Sequence, residues 1–564
     1  MRRTERRRKK RRQKRKQMLP ALIVLGLIVI VLLLAAVGEI FSRFTPSSEH
    51  ADLEALYGTE DGYASVIANH QWIDSQALWF EGHAYLSYEV IRDELNGRFY
   101  WDSFEKLLLY TLPEETVRAD ADTEYDGAPV FLEQDDTVYI SLSYVQEYSN
   151  IQVEYFDNPT RLVLQTEWGS EQVGTLSKDT ELRVLGGIKS EILADLEAGE
   201  EVIILNQMDT WSEVQTEGGL IGYILNSAIG ETEAVETTGP YTEPEYTSIS
   251  VDYEVCLVWQ QVIDTTGLES LQSFIDQDTA ATTMAPTWFS ITGEDGTFSS
   301  SASAEYVETA HAAGLDVWVV LENVNHTEVD MTELLTSTTN RTKLIEGVME
   351  ELEACGADGL NVDIENLDSE DGDGFIQLIR ELSVECRARG LVLSVDNSVP
   401  SAWTEFYNRE EQGIVADYVI IMGYDEHYNG SEPGSTASLS FVQAGITDTL
   451  EEVPAEKVIN GVPFYTRLWT ETSTELTSEA LGMEAAAEFV TEHGGEASWL
   501  SDVGQNYVKI EEDGTVYQIW LEDEDSMKTR LSMMQSYELA GAAFWKLGME
   551  SESIWDVIAD YYSE

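Results

Sequence analysis

Residues 357–366 contain the feature that most constrains how this chain folds, a strict alternation of apolar and polar side chains. In a β-strand, where side chains alternate with period two, the two faces would carry Leu360, Val362 and Ile364 on one side and Asn361, Asp363 and Glu365 on the other. An amphipathic edge strand has the same pattern. The neighbouring sequence instead predicts a buried parallel strand, in which carboxylates are costly unless they are paired or used. Polar groups that end in a glutamate therefore indicate an acid/base site at the carboxyl end of a strand.

Strand-like and helix-like segments alternate from about residue 248 onward. Helical patterns such as 341–355 and 374–389 separate eight strand-like segments. The predicted strands are Val255–Val262, Thr283–Ile291, Val317–Asn323, Gly359–Glu365, Val392–Val399, Tyr418–Tyr424, Val458–Tyr465 and Gly541–Lys546. This α/β alternation predicts a closed (β/α)₈ TIM barrel. Chemistry in that fold lies at the carboxyl ends of the strands, where Glu365 falls.

Four motifs on four of these strands are similar to those of one enzyme family. The segment from Asp358 to Glu365, Asp-Gly-Leu-Asn-Val-Asp-Ile-Glu, resembles the Asp-x-x-Asp-x-Asp-x-Glu signature of family 18 glycoside hydrolases. That family includes chitinases, endo-N-acetylglucosaminidases and spore-cortex peptidoglycan hydrolases. The other three motifs follow in the family's order and are Met422-Gly-Tyr424-Asp425, Gly461-Val-Pro-Phe-Tyr465-Thr-Arg467-Leu-Trp469 and Gly541-Ala-Ala-Phe-Trp545. The resemblance covers residues 250–564.

The resemblance implies a role for each matched residue. Glu365 would be the catalytic acid, because cleaving a glycosidic bond requires a carboxylic acid that protonates the leaving oxygen. In this family the substrate's own 2-acetamido oxygen attacks the anomeric carbon. Asp363 would orient the acetamido N–H and stabilise the oxazolinium intermediate, while Tyr424 would hold the acetamido carbonyl. The implied substrate-binding residues are Asp358, Asn361, Met422, Asp425, Tyr465, Arg467 and Trp545, with the indole of Trp545 under the −1 sugar.

Asn361 departs from the family, because many chitinases have an Asp at this position. An amide cannot share a proton with Asp363, but it can hydrogen-bond to Asp363 and keep that carboxylate ionised in one orientation. Asn here also resembles the spore-cortex branch of the family, which favours peptidoglycan over chitin. Four of the implied roles have a structural alternative, namely packing for Tyr424 and Trp545 and barrel-mouth structure for Tyr465 and Arg467.

The N-terminus joins a basic segment to an apolar run. Residues 1–16 contain twelve Arg or Lys and one Glu, and the 21 residues 18–38 are apolar. Such a run is long enough to cross a bilayer. We therefore expect a basic cytoplasmic segment (1–17), a transmembrane helix (18–38) and, by the positive-inside rule, everything after Glu39 outside the cell membrane. The alternative is a cleaved signal, because residues 36–38 look like a small-residue cleavage site.

An internal repeat follows a predicted stalk at residues 39–61. Within residues 62–168, the segments that begin at Tyr85 and Tyr100 recur at Tyr139 and Tyr155 with one gap. Each copy reads as a strand, a helix and two strands. The repeat resembles the N-terminal domain of copper amine oxidases, although it has no His or Cys cluster that would bind a metal. A spacer and a binding module both fit this pattern.

A third region, residues 170–229, reads as a small β-barrel of short strands broken by glycine pairs. Trp211-Ser-Glu-Val, Gly218-Gly and Gly222-Tyr stand in the order of bacterial SH3-like domains, which commonly bind cell-wall peptides. Small barrels also serve as spacers. Residues 230–247, rich in Glu, Thr and Pro, are predicted to be an extended linker to the domain at 248–564.

Charge and cysteine content restrict the partners. The formal net charge is −71, so the surface would repel nucleic acids. An odd number of cysteines (Cys256, Cys355 and Cys386), all in apolar segments, argues against a disulfide framework. The acidic loop 368–374 lacks the spacing of an EF-hand, and no P-loop or zinc spacing is present. We therefore predict no metal and no cofactor.

Together these patterns predict a membrane-anchored, extracytoplasmic glycoside hydrolase. It would cleave β-1,4 bonds after N-acetylglucosamine in cell-wall peptidoglycan, with substrate assistance and net retention. The alternatives are a chitinase or endo-β-N-acetylglucosaminidase that acts on other glycans, and a non-catalytic glycan-binding protein. The presence of Glu365 together with Asp363 and Tyr424 favours an enzyme.

Overall fold

The computed structural model describes residues 2–59, 61–263, 267–277 and 279–563. The chain divides into two compact units. The N-terminal unit comprises Met1–Asn96 and Glu124–Glu243, and the barrel unit comprises Gly97–Thr123 and Pro244–Glu564.

A closed barrel of eight parallel strands forms the centre of the barrel unit, as the sequence predicts. The strands are β1 Val255–Gln260, β2 Thr283–Pro286, β3 Asp316–Glu322, β4 Gly359–Asp363, β5 Val392–Ser398, β6 Tyr418–Met422, β7 Val458–Pro463 and β8 Gly541–Trp545. Each strand pairs with the next along the chain, and β8 closes on β1. Their apolar side chains are buried on both faces, which is why these strands read as nearly continuous apolar runs.

Most barrel strands end one or two residues before the predicted position. The segment predicted as one strand at 283–291 forms two, Thr283–Pro286 and Phe289–Ile291, because the backbone turns where Trp288 N donates to Pro286 O. The second of these forms a hairpin with Phe298–Ser300. Strand β4 ends at Asp363, so Glu365 lies just beyond its carboxyl end.

The start of β8 shows how the barrel closes. Gly541 has φ +157°, and a Cβ atom there would lie 1.9 Å from the carbonyl oxygen of Val255. Only glycine therefore permits β8 to approach β1 this closely.

Helices surround the barrel. Its α-helices are Gly267–Ile275, Ala304–Ala312, Met331–Thr336, Thr338–Cys355, Gly372–Arg389, Arg409–Val415, Leu439–Thr449, Glu524–Met534 and Ile554–Ser563, with 3₁₀ turns at Ser369–Asp371, Glu405–Tyr407, Ala455–Lys457 and Gln535–Tyr537. Between β7 and β8 the chain forms a five-stranded antiparallel sheet with one helix. These elements are the strands Tyr465–Glu471, Leu476–Gly482, Ser498–Leu500, Gln505–Glu512 and Thr515–Leu521 and the helix Met483–Glu492.

Part of the predicted repeat belongs to the barrel unit. Residues Gly97–Thr123 form a three-stranded sheet of Phe99–Asp102, Leu107–Thr111 and Thr116–Ala119. The buried Asp102 carboxylate accepts hydrogen bonds from the Thr338 backbone N–H at 2.8 Å and from its hydroxyl at 2.6 Å. These bonds lie at the start of an outer helix, so this sheet stabilises the helical layer of the barrel.

The rest of the repeat forms a seven-stranded sheet in the N-terminal unit. Its strands are Tyr63–Ala68, Gln71–Phe80, His83–Ser87, Phe131–Gln134, Thr137–Ser141, Gln152–Phe156 and Arg161–Gln165, and the unit also contains the short strands Glu124–Tyr125 and Ala128–Pro129. Helical segments follow the equivalent strands of the two copies, at Tyr88–Val90 with Ile91–Leu95 and at Leu142–Glu147. The likeness to the amine-oxidase domain stays a prediction.

A second seven-stranded sheet covers the region predicted as a small barrel. Its strands are Ser170–Leu176, Thr180–Arg183, Ile192–Leu196, Glu201–Gln207, Trp211–Thr216, Ile221–Leu225 and Ile229–Glu236, with a 3₁₀ turn at Asn226–Ala228. The last strand pairs with the first, so the predicted boundary at residue 229 was wrong and the sheet extends to Glu236. The SH3-like assignment stays a prediction.

One helix, Arg2–Phe44, contains both the basic segment and the apolar run. Its part Leu22–Phe44 is long and apolar enough to cross a membrane, by length and composition, which places the candidate span later than residues 18–38. The predicted stalk is also corrected. Ser47 N donates to Ile188 O and Ala51 N to Ile192 O, so this segment is hydrogen-bonded to the sheet instead of extending freely. The short helix Leu53–Tyr57 follows.

Candidate active site

A pocket of about 430 Å³ opens at the carboxyl ends of the barrel strands. The loops after β4, β5 and β6, the start of the inserted sheet and the end of β8 form its walls. The lining residues are Asp363, Glu365, Ser398, Val399, Pro400, Ser401, Thr404, Met422, Tyr424, Asp425, Phe441, Tyr465 and Trp545. The structure thus brings together seven of the ten residues that the sequence predicts for the site.

Glu365 is half-buried on the pocket wall, and its backbone is fixed from a neighbouring strand. The side-chain amide of Asn323, one residue beyond β3, donates to Glu365 O and accepts from Glu365 N, both at 2.9 Å. Burial, and then the negative charges of Asp425 and Glu322, raise the pKa of Glu365. A raised pKa keeps this carboxyl group protonated to higher pH, as a general acid requires.

Asp363 is buried at the end of β4, two residues before Glu365 on the same face. Its Oδ1 atom has no hydrogen-bond partner within the protein. Burial, followed by the charges of Asp396, Glu365 and Glu322, raises the pKa of Asp363 well above its usual value. A buried polar atom that lacks a partner and lines a pocket is available to a ligand.

Asn361 does not bond to Asp363, which corrects the prediction made from the sequence. Its Nδ2 atom donates to Asp396 Oδ1 at 2.8 Å and to Ser394 Oγ at 3.0 Å, and its Oδ1 accepts from Trp259 Nε1 at 2.9 Å. The side chain is fully buried within the barrel and does not line the pocket. The physical reason is that β5 lies beside β4 and presents its own polar residues to the Asn361 amide.

Asp396 is a buried carboxylate that the sequence analysis missed. Burial raises its pKa to about 8, opposed by the hydrogen bond from Asn361, and the charge of Glu365 adds to the rise. The register that pairs Val362 with Val395 places Asp396 beside Asp363. The sequence contains a pattern that could have identified Asp396. Ser394 and Asp396 alternate with apolar residues on β5, as Asn361 and Asp363 do on β4.

Tyr424 and Asp425 follow β6 and line the same pocket. Burial raises the pKa of Tyr424 well above its usual value, so its hydroxyl stays a hydrogen-bond donor at any physiological pH. The Tyr465 hydroxyl donates to Asp425 Oδ1 at 2.6 Å. Arg467 does not line the pocket. Its Nη2 atom lies 4.0 Å from the same Asp425 oxygen, so it acts on the site through Asp425.

Two predicted residues complete the pocket, and one lies elsewhere. Met422 and Trp545 line it, and the Trp545 ring packs edge-on against Trp259 with centroids 5.9 Å apart. Asp358 precedes β4 and lies at the amino end of the barrel, where its Oδ2 accepts from Val317 N and contacts His311 Nε2, each at 2.8 Å. The predicted substrate contact of Asp358 is therefore wrong, because the length of β4 separates it from the pocket.

Among the residues that the structure describes, no group of three or more His, Cys, Asp or Glu side chains has an arrangement that could hold a metal ion. In the acidic loop after β4, Asp368 and Asp371 instead form a reciprocal capping box at a 3₁₀ turn.

The family model for glycosyl hydrolases family 18 matches residues 259–550, which is more than half of the chain. This chain belongs to glycosyl hydrolase family 18. The match covers every strand that contributes to the pocket. The chain spans about half of the length of two curated relatives that it matches, a putative sporulation-specific glycosylase and a cortical fragment-lytic enzyme of Bacillus subtilis.

Several curated proteins and solved structures are similar to this chain. The chain is 24% identical over 285 residues to the uncharacterized glycosylase YvbX of Bacillus subtilis, covering 47% of this chain and 80% of that protein. It is 22% identical over 239 residues to the cortical fragment-lytic enzyme of Bacillus subtilis, covering 41% of this chain and 56% of that enzyme. Among solved structures, a chitinase from Chromobacterium violaceum shares the fold, with a TM-score of 0.50, 20% identity and coverage of 55% of this chain and 99% of that one.

Proposed function

We propose that this family 18 enzyme cleaves β-1,4 bonds after N-acetylglucosamine in cell-wall peptidoglycan by substrate-assisted, retaining catalysis. The observation that supports it most strongly is the pair of carboxyl groups at the carboxyl end of β4. A carboxyl group with a raised pKa, Glu365, stands two residues from a buried carboxyl group, Asp363, whose Oδ1 has no protein partner. One group is suited to donate a proton, and the other to accept a hydrogen bond from the substrate.

The proposed reaction uses the groups of the pocket in order. Protonated Glu365 donates its proton to the glycosidic oxygen, and the C1–O bond to the leaving sugar breaks. The acetamido oxygen of the sugar in the pocket attacks C1 and forms an oxazolinium ion, while Asp363 accepts a hydrogen bond from its N–H. The ionised Glu365 then removes a proton from water, which attacks C1 from the face that the leaving sugar vacated while the bond from C1 to the acetamido oxygen breaks and the acetamido group re-forms. Two displacements at C1 give net retention.

Tyr424 and Trp545 complete this proposal. The Tyr424 hydroxyl would donate to the acetamido oxygen and align it with C1. Trp545 presents an indole in the pocket, and an aromatic face can pack against the apolar face of a pyranose ring. Both groups would hold the bound sugar so that its acetamido oxygen lies close to C1 and in line for attack. Such positioning of reacting groups contributes a large share of an enzyme's rate enhancement.

Peptidoglycan is the proposed glycan for two reasons. Asn361 resembles the residue of the spore-cortex branch, and a named relative is a cortical fragment-lytic enzyme. We also propose that the helix containing Leu22–Phe44 anchors the enzyme in the cell membrane, with the basic residues before it in the cytoplasm and both units outside.

The test compares the full chain, purified in mild detergent, with its Glu365→Gln variant. Each is incubated with purified peptidoglycan and, separately, with chitin oligomers, and new reducing ends are identified by mass spectrometry. We expect reducing-end N-acetylglucosamine from peptidoglycan with the wild type and none with the variant. Glu370→Gln, which changes an exposed acid in the same loop after β4, is the matched control and should retain activity.

Other outcomes would overturn parts of the proposal. Cleavage of chitin alone would make the enzyme a chitinase, and an absence of product from both substrates would favour a glycan-binding protein. A thiazoline that mimics the oxazolinium ion should inhibit competitively, and lack of inhibition would contradict substrate assistance.

A further inference from the structure

The residues at the end of β3 lie beside Asp363 and Glu365, although no sequence motif includes them. Glu322 ends β3 and is 2% exposed. The parallel register of β3 and β4 pairs Glu322 with Asp363. Its carboxylate is held in place from its own loop, because Oε2 accepts from Asn325 N at 3.0 Å and Oε1 from Asn325 Nδ2 at 2.8 Å.

The next residue acts on Glu365 directly. Asn323 makes two hydrogen bonds to the Glu365 backbone, as described for the site, and it is itself buried. Glu365 lies beyond the end of β4 and has no ladder partner there. The Asn323 side chain therefore makes the two backbone hydrogen bonds that a neighbouring strand would otherwise make, and these fix the backbone of Glu365.

We propose that the segment Glu322–Asn325 is a positioning device for the catalytic acid. Asn323 holds the backbone of Glu365, and the buried Glu322 carboxylate, which the strand register places beside Asp363, adds to burial and to Asp425 in disfavouring the ionised form of Glu365. This inference rests on the proposed function, in which Glu365 is the proton donor.

Electrostatics around Glu365 agree with the geometry. The titratable groups that face it are Asp363 on its own strand, Glu322 from β3, Asp396 from β5, Tyr407 from the loop after β5, and Tyr424 and Asp425 after β6. Within the described ranges, no lysine or arginine forms an ion pair with Glu365 or Glu322. Burial is the first cause of the raised pKa of Glu365, and the charges of Asp425 and Glu322 are the other two.

The sign of the effect follows from the charge. Ionised Glu365 repels the Glu322 carboxylate, so removing the Glu322 charge makes ionisation easier and lowers the pKa of Glu365. The alkaline limb of a plot of kcat/KM against pH reports the acid that must stay protonated in the free enzyme. That limb should therefore move to lower pH when Glu322 becomes neutral.

The experiment measures kcat/KM against pH for the full chain and for Glu322→Gln. We expect the alkaline limb of Glu322→Gln to move to lower pH by on the order of half a unit or more. The matched control is Glu328→Gln, which removes an exposed charge from the same loop and should leave the limb in place.

Two further variants separate charge from packing. Glu322→Asp keeps the charge, so its alkaline limb should stay near that of the wild type even if its rate falls. Asn323→Ala should lower kcat without moving the limb, because it loosens the Glu365 backbone but changes no charge. Should Glu322→Gln fail to fold, a limb moved by Glu322→Asp would still contradict the proposal.

The outcomes distinguish this inference from the proposed function. A limb that does not move in Glu322→Gln, or that moves equally in Glu328→Gln, overturns the role of Glu322. If Glu365→Gln still cleaves the glycan with the wild-type limb, the proposed function itself fails, whatever Glu322 does.

Discussion

Glu381 and Asp363 are both buried carboxylates of the barrel unit, but they have different neighbours. Glu381, on an outer helix, receives two hydrogen bonds from Arg341, at 2.9 and 3.0 Å. Glu411 on another outer helix is paired with Arg380 and Arg98. Asp363, in the pocket, has an Oδ1 atom without any partner in the protein.

The different neighbours shift the pKa values of Glu411 and Asp363 in opposite directions. Burial raises the pKa of Glu411, but Arg380 and Arg98 lower it by more, so this carboxylate stays ionised. Burial and like charges both raise the pKa of Asp363. A buried carboxyl group without a cation is costly, and titratable groups in that condition cluster at functional sites. The paired carboxylates of the helical layer therefore have a structural role, whereas those of the pocket are the ones that we propose for catalysis.

Replacing Asp363 with Asn should have the largest effect on catalysis. Unlike a carboxyl group, the amide cannot ionise when positive charge develops on the oxazolinium, so kcat should fall by about 10²–10³-fold, the usual loss for one preorganised group. The melting temperature should stay the same or rise, because a buried carboxyl group without a cation is removed. Steady-state kinetics and thermal unfolding check this. A variant that keeps full activity would show that Asp363 is not part of the chemistry.

Replacing Arg341 with Met should have the opposite effect, lowering stability and leaving catalysis unchanged. Glu381 would remain buried without its cation, which typically costs about 3–5 kcal/mol of unfolding free energy. The kcat per folded molecule should not change. Denaturant unfolding measures the loss, and the double variant Arg341→Met, Glu381→Leu should recover much of it. Full stability of the single variant would contradict the structural role of the pair.

Asp396→Asn tests the buried carboxyl group beside Asp363 through the pH dependence of stability. The raised pKa of Asp396, about 8, means that the folded protein binds more protons than the unfolded chain above the ordinary Asp range. Wild-type stability should therefore fall as pH rises from about 4 to about 8. The variant should lose less over this range, by on the order of a few kcal/mol. An equal pH dependence in both proteins would show that Asp396 ionises normally.

Asp358→Asn should have the smallest effect. Asp358 lies at the amino end of the barrel and bonds to Val317 N and His311, so its replacement should cost about 1 kcal/mol of unfolding free energy. We expect kcat and KM to stay within about twofold, since this carboxylate does not reach the pocket. A large rise in KM would restore the substrate contact that the sequence motif implied.

The sequence predicted the barrel and most of the pocket because both depend on local patterns. Apolar runs at regular intervals define the eight strands, and the carboxyl ends of parallel strands meet at one face. Glu365 could be placed at the site from its position at a strand end, whereas Tyr424 and Trp545 were assigned because their motifs resemble those of family 18. Asp358 was misplaced because it belongs to the same motif but precedes the strand.

The features that could not be predicted from the sequence depend on contacts between residues that are distant in the chain. Neither the bond from Asn361 to Asp396 nor the pairing of Glu322 with Asp363 can be found without the register of β3, β4 and β5. The segment Gly97–Thr123 was assigned to the repeat because its sequence matches the second copy. Its place in the barrel unit depends on the partners of Asp102 and Arg98, which lie more than 200 residues away in the chain.

The most direct test measures hydrolysis and thermal stability together for Glu365→Gln and Arg341→Met. Both are assayed as full chains on the same peptidoglycan at a temperature where the wild type is folded. We predict that Glu365→Gln releases no new reducing ends and melts no lower than the wild type. Arg341→Met should melt lower and release product at the wild-type rate per folded molecule. Release of product by Glu365→Gln would contradict the account.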